Sequence, residues 1–158
     1  MNARELSRRT ILVAGGYAFG ATALVSKLAS AHAETESSAN SQQIIRKYYK
    51  AWENKDWELL DSLLTDSFTF SSAAGDDHIS KAAFKTQCWD TQSPYIERFG
   101  LLRVLAVGSD AFVMYVCHMK GGKSFRNVEY LRFEEDKVAS IECYFGATAG
   151  YPTAVGIK

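Results

Sequence analysis

Ser124-Phe125-Arg126-Asn127-Val128-Glu129-Tyr130-Leu131-Arg132-Phe133-Glu134 alternates with the period of a β-strand. Successive side chains of a strand point to opposite faces. Phe125, Asn127, Glu129, Leu131 and Phe133 therefore share one face, and Arg126, Val128, Tyr130 and Arg132 share the other. The first face is apolar except for one acid and one amide. Working outward, residues 137–146 follow after Glu135-Asp136, and residues 111–120 precede Gly121-Gly122. Residues 95–107 come before Gly108-Ser109-Asp110. All of these segments are rich in Val, Ile, Phe and Tyr, and joining them by short turns makes an antiparallel meander.

Upstream the period changes to that of a helix. Asn40 with Gln43 makes a capping-box-like start, and Ile45, Tyr48, Tyr49 and Trp52 recur at helical spacing, so residues 41–53 are predicted helical. Asn54-Lys55 breaks this helix. Asp56 caps a second one, whose apolar side is Leu59, Leu60, Leu63 and Leu64. Phe68-Thr69-Phe70-Ser71 alternates as a strand, and Ala74-Gly75-Asp76-Asp77 is a turn. Ser80 caps a third helix carrying Phe84 and Cys88, which stops before Pro94. Helices first and strands last make an α+β fold, three N-terminal helices packed on a curved antiparallel sheet.

The chain has 158 residues, 47% of them hydrophobic, which suits one domain with a sizeable core. Its 18 basic and 18 acidic residues cancel, so charge gives no reason to expect nucleic acid as a partner. The N-terminus stands apart. Ser7-Arg8-Arg9-Thr10-Ile11-Leu12 opens an apolar stretch diluted by Gly15, Gly16 and Gly20, and Ala29-Ser30-Ala31-His32-Ala33 ends it. This resembles a twin-arginine export signal, with cleavage after Ala33 or Ala31. Residues 1–33 are thus expected to be a signal peptide and 34–40 a polar lead-in. Residues 41–148 form the domain, and 149–158 a C-terminal tail. The expected location is periplasmic or secreted, with no membrane attachment after cleavage. An odd count of three cysteines is not a disulfide framework, so Cys88, Cys117 and Cys143 are expected as small buried hydrophobes.

Tyr48-Tyr49-Lys50-Ala51-Trp52-Glu53-Asn54-Lys55-Asp56, the run from Leu60 through Phe70, and Gly75-Asp76-Asp77 resemble the opening of the nuclear transport factor 2-like, or SnoaL-like, superfamily. Phe125 through Glu129 and Lys137 through Gly146 are similar to its last hairpin. The resemblance implies a cone-shaped fold with an apolar pocket at its open end. It also implies pairing through the outer face of the sheet, where Val128 and Tyr130 lie, and hence a homodimer. The fold serves isomerases, dehydratases, cyclases, epoxide hydrolases and non-catalytic scaffolds, so function must be argued from the site.

Glu129 is the first candidate. On an apolar face its carboxyl group would be desolvated and its pKa raised, leaving it able to donate a hydrogen bond or to act as a base. Alternatively it pairs with Arg103 or Arg126, or faces solvent. The resemblance to ketosteroid isomerases places Glu129 at their protonated oxyanion-hole acid and Tyr48 at their oxyanion-hole tyrosine. It places Ser72 where their catalytic base would stand, and a serine cannot serve there. Asp77, with Asp76 and His78 beside it, is the candidate proton-moving group, against a plain turn role. Trp52, Phe70, Trp89, Asn127 and Phe145 are the candidate ligand-binding residues. Cys117 and His118 are adjacent on a strand and face opposite ways; the length of the Gly121-Gly122 turn decides which joins Glu129. His78 and His118 have no metal-ligand spacing, and no phosphate loop, dinucleotide fingerprint or G-x-S-x-G is present. No metal and no cofactor is expected. These features suggest an exported protein binding a small, largely apolar or amphipathic ligand. The alternatives are a cofactor-independent isomerase, dehydratase or cyclase, and a non-catalytic dimerisation module.

Overall fold

The computed structural model describes residues 38–146; the signal-like segment and the C-terminal tail lie outside the described residues. Helix α1 covers residues 38–54, so the helix already includes the end of the expected lead-in. Asn40 sits inside it, and its amide donates to Asp136 in the last hairpin turn at 2.5 Å. Ile44, Ile45, Tyr48, Tyr49, Ala51 and Trp52 are all buried, a broader stripe than a surface helix shows. The helix ends in paired bonds, Asp56 N–H to Ala51 O at 2.9 Å and Lys55 N–H to Trp52 O at 3.3 Å. This is the Schellman pattern, with Lys55 in the left-handed region at φ 62°. The Lys55 ammonium offsets that strain by donating to the carbonyls of Trp52 and Ile96.

Asp56 then caps helix α2 (Trp57–Leu63) by accepting from Leu59 N–H at 2.9 Å. Strands β1 (Leu64–Ser72) and β2 (Ile79–Ser80) flank the Gly75 turn and pair antiparallel. Ser80 caps helix α3, residues 81–92, by accepting from Ala83 N–H. Within it Lys85–Trp89 is wound as a π-turn, which leaves the adjacent Cys88 and Trp89 both buried. A 3₁₀ turn, Ser93–Tyr95, contains Pro94 and hands the chain to the sheet.

The meander is β3 (Ile96–Val107), β4 (Asp110–Met119), β5 (Ser124–Glu134) and β6 (Lys137–Phe145), antiparallel throughout. The sheet order is β2-β1-β6-β5-β4-β3. Strand β1 joins β6 in parallel, so the six-stranded sheet is mixed. Register shifts in β3 and between Arg132 and Phe133 mark bulges, which bend strands and curve the sheet. Between β4 and β5, Met119 pairs with Lys123, leaving Lys120-Gly121-Gly122 as the loop. That odd loop length settles the parity: Tyr115 and Cys117 share the face of Glu129, and His118 points the other way toward Ser124.

The core is aromatic under α3. Trp52 and Trp89 rings lie 4.5 Å apart, and Phe84 meets Trp52, Phe68 and Phe70 at 5.0–6.0 Å. Each such buried ring contributes roughly 1.5–3 kcal/mol.

Candidate functional site

A cavity of about 390 Å³ opens between α1, α3 and the inner face of the sheet. That is within the roughly 300–1,000 Å³ usual for small-molecule sites. Tyr48, Trp52, Phe70, Phe84 and Phe99 supply much of its apolar wall. Asn127, Glu129, Ser72 and Asp76 are its main polar side chains besides the tyrosines.

Glu129 is 6% exposed and Asn127 7%. Tyr49 Oη donates to Glu129 Oε2 at 2.6 Å, and Tyr115 Oη donates to Oε1 at 2.9 Å. Asn127 Nδ2 lies 3.2 Å from Tyr115 Oη and 3.3 Å from Cys143 Sγ, donating to both. Among the described residues no cation pairs with Glu129: Arg103 donates to the Leu102 carbonyl, and Arg126 is exposed. Burial therefore dominates and raises the Glu129 pKa, while hydrogen bonds from Tyr49, Tyr115 and Cys143 pull the other way. The same burial, with the Glu129 charge nearby, holds the phenols of Tyr48, Tyr49 and Tyr115 well above their usual range.

The donors in this network all run toward Glu129. An ionised Glu129 accepts from both phenols but is a buried charge without a counter-ion. A protonated Glu129 has one hydrogen more than the network needs, so either it or a displaced tyrosine hydroxyl can donate to an oxygen entering the cavity.

Trp52, Phe70, Asn127 and Phe145 border the cavity with Tyr48 and Glu129, Phe145 at 38% exposure. Trp89 does not border it; its ring packs behind Trp52 and beside Trp57. Tyr48 borders the cavity, but the phenols that donate to Glu129 are those of Tyr49 and Tyr115. Asp77 lies outside the cavity, exposed and paired with the exposed His78 at 2.6 Å. The turn decides this. Gly75 takes φ 106°, and Ser72 N–H binds Asp76 O at 3.0 Å, so the chain turns Asp76 inward and Asp77 outward. Ser72 Oγ donates to Asp76 Oδ2 at 2.5 Å.

Tyr49, Tyr115 and Cys143 are the site residues that sequence reasoning missed. Tyr49 was visible on the apolar stripe of α1, while Tyr115 depended on the loop parity. Cys88, Cys117 and Cys143 all border the cavity as free thiols. Desolvation pushes Cys88 up to about 11 and Cys117 to about 12, and raises Cys143 as well. Gly146 closes the rim, where a Cβ would collide with the Arg126 carbonyl oxygen; its N–H binds that oxygen at 2.6 Å.

The model of one family, described as SnoaL-like domain, matches residues 45–141. An NTF2-like protein of unknown function from Cytophaga hutchinsonii is similar in structure, with TM-score 0.56, 16% identity, and coverage of 72% of this chain and 93% of that one. An LEH-like epoxide hydrolase from M. tuberculosis gives TM-score 0.59 at 13% identity, covering 69% and 84%. A protein with a ketosteroid isomerase-like fold from Catenulispora acidiphila, in complex with trimethylamine, gives 0.55 at 16% identity, covering 65% and 85%. At these identities the likeness is one of fold. No curated protein matches the sequence.

Proposed function

We propose a function from this premise: the chain belongs to the SnoaL-like domain family. The proposed role is to bind a small, largely apolar ligand that carries one hydrogen-bond-accepting oxygen. The observation that carries it is Glu129, a carboxyl group enclosed with two phenols, and with no cation among the described residues, in a cavity walled largely by aromatic side chains. Aromatic side chains would take the ligand's body, and Glu129 with Tyr49 and Tyr115 its oxygen. Such a group is costly to bury for structure alone, because an apolar residue would fill the space without a desolvation penalty.

Export by the twin-arginine route and homodimerisation belong to the same proposal. The outer face of the sheet supports the second. Across the strands Leu105 pairs with Phe112 and Phe112 with Tyr130, while Met114 pairs with Val128 and Val128 with Tyr144. Leu105, Phe112, Met114 and Tyr144 are exposed, leaving an apolar patch.

Titration with 2-naphthol, followed by its fluorescence, tests the binding role. Saturable binding is expected. Glu129→Gln is expected to weaken it about tenfold, the equivalent of one strong hydrogen bond near 1.4 kcal/mol. Absence of saturable binding overturns the reading.

A further inference from the structure

We propose that the cavity takes organic ammonium ions with an apolar body, the positive charge seated against the Glu129 carboxylate and the aromatic wall beside it. The inference rests on the ligand-binding reading above and adds a second class of ligand to it.

The composition of the wall points to a cation. Among the described residues two carboxyl groups border the cavity, Glu129 and Asp76, and no Lys, Arg or His does. Lys55, at the end of α1, directs its ammonium to the carbonyls of Trp52 and Ile96 instead. An ionised Glu129 is thus a buried charge to which the fold gives hydrogen bonds but no counter-ion. Burying a charge is costly unless it is paired, and a positive ligand completes the pair. The hydrogen bonds leave room for it. Tyr49 donates to Oε2 and Tyr115 to Oε1, one bond to each oxygen. A carboxylate has about four acceptor positions, so both oxygens can still receive an ammonium group.

The rings suit the same charge. Tyr49, Phe99 and Tyr115 pack with centroids 5.0–5.2 Å apart, and all three border the cavity with Tyr48 and Trp52. The face of an aromatic ring attracts a cation held within about 6 Å of its centroid. Such a wall cannot replace the water shell of a small inorganic ion, which needs several oxygen ligands. Among the described residues no three His, Cys, Asp or Glu gather as a metal site. A weakly hydrated organic cation loses little water and gains both the acid and the rings. Asp76 stands farther off. Ser72, its hydrogen-bond partner, pairs with Cys143, and Cys143 pairs with Glu129. Two strand spacings of about 4.8 Å put the backbones of Ser72 and Glu129 roughly 10 Å apart. The Asp76 charge therefore adds to the negative field of the cavity at longer range.

Cation binding is linked to the ionisation of Glu129. Burial raises its pKa, so below the folded value the free protein holds a proton that the cation must displace. Tyr48 and Tyr49 of α1, Tyr115 and Cys117 of β4, Cys143 of β6 and Cys88 of α3 surround the cavity with it. All six are raised and stay neutral between pH 5 and 8. Affinity for a permanent cation should therefore fall as pH is lowered, with Asp76 the one other carboxyl group on the wall that needs a control.

Calorimetric titration with benzyltrimethylammonium chloride, whose charge is independent of pH, tests this beside 2-naphthol. Wild-type protein is expected to bind it saturably, about tenfold more tightly at pH 8 than at pH 5. At pH 5 binding should release protons, read by repeating the titration in buffers of different ionisation enthalpy. Glu129→Gln is expected to weaken binding at pH 8 on the order of tenfold or more and to abolish the pH dependence. Asp76→Asn should weaken it by no more than about threefold and keep that dependence. Wild-type protein that binds 2-naphthol but not the ammonium ion overturns the inference and leaves the reading above standing. Ammonium binding without proton release at pH 5 also overturns the inference, a result that needs no variant to fold. So does binding that Glu129→Gln leaves unchanged, or a pH dependence lost in Asp76→Asn and kept in Glu129→Gln. Ammonium binding without 2-naphthol binding supports the inference and overturns the oxygen-bearing ligand alone. Failure of both probes overturns both readings.

Discussion

Tyr49 and Glu129, 80 positions apart in sequence, meet through a 2.6 Å hydrogen bond that ties helix α1 to strand β5. The adjacent Tyr48 makes no such bond; the second phenol on Glu129 is that of Tyr115. A phenol that donates to a carboxylate favours the ionised form. Tyr49→Phe is therefore expected to raise the Glu129 pKa further and to cost about 1 kcal/mol of stability. Tyr48→Phe should leave the Glu129 titration in place. Carbon-13 NMR of labelled glutamate separates the two; equal shifts in both variants would contradict the assignment.

The strands were legible because alternation and turn residues agree, as in residues 124–134, and the capping role of Asp56 was legible because its chemistry is local. Period two put Glu129 and Asn127 on one face, while the choice of that face as the cavity wall needed the packing of the helices on the sheet. What stayed hidden depends on geometry longer than the local pattern. The parity of β4 hangs on one residue of the 120–122 loop, which swaps Tyr115 for Met114. The π-turn in α3 shifts every later position by one residue in its turn, and so buries Trp89 behind Trp52 instead of beside the cavity. Choosing between Asp76 and Asp77 required the φ angle of Gly75, and adjacent identical acids give no sequence signal for that.

The cysteines give a second expectation. Burial holds Cys88 near 11 and Cys117 near 12, so little thiolate exists at pH 8. Native protein should react with a disulfide reagent such as DTNB far more slowly than denatured protein, in which all three thiols should react. A ligand filling the cavity that these thiols border should slow the native reaction again. Rapid release of one equivalent from native protein would show that a thiol is accessible and ionised.

The outer face of the sheet gives a third. Met114 and Val128 are register partners at the centre of its apolar patch. If two copies meet there, Val128→Lys places two ammonium groups in the contact, and sedimentation should turn from dimer to monomer at micromolar concentration with the fold intact by circular dichroism. A wild-type protein that sediments as a monomer rules out the pairing.

Export is tested at Arg8 and Arg9. The pair precedes an apolar stretch interrupted by glycines, a weak membrane span but an apt export core. Arg8→Lys with Arg9→Lys keeps the charge and is expected to hold the precursor in the cytoplasm of a host with the twin-arginine pathway. Undiminished recovery outside the cytoplasm would exclude that route.

Glu129 itself gives the last expectation. Its folded pKa is raised above the roughly 4.3 of an exposed glutamate, first through desolvation. The folded state therefore holds the proton more tightly than the unfolded chain does. The stability linked to that proton is fully present below about pH 4.3, and is lost as pH rises through the folded value. Glu129→Gln removes the ionisation, and its amide can still accept from one tyrosine and donate to the other. At pH 4 the variant should match the wild type within about 1 kcal/mol. At pH 7–8 it should be as stable or more so, because the wild type alone must then carry a buried charge or keep a proton against the solvent. Denaturant curves at the two pH values read this directly. A glutamate stabilised by an ion pair has a depressed pKa and predicts the opposite, a loss on substitution that is larger at neutral than at acid pH. That outcome would sink the enclosed-acid reading, and the ligand-binding role built on it.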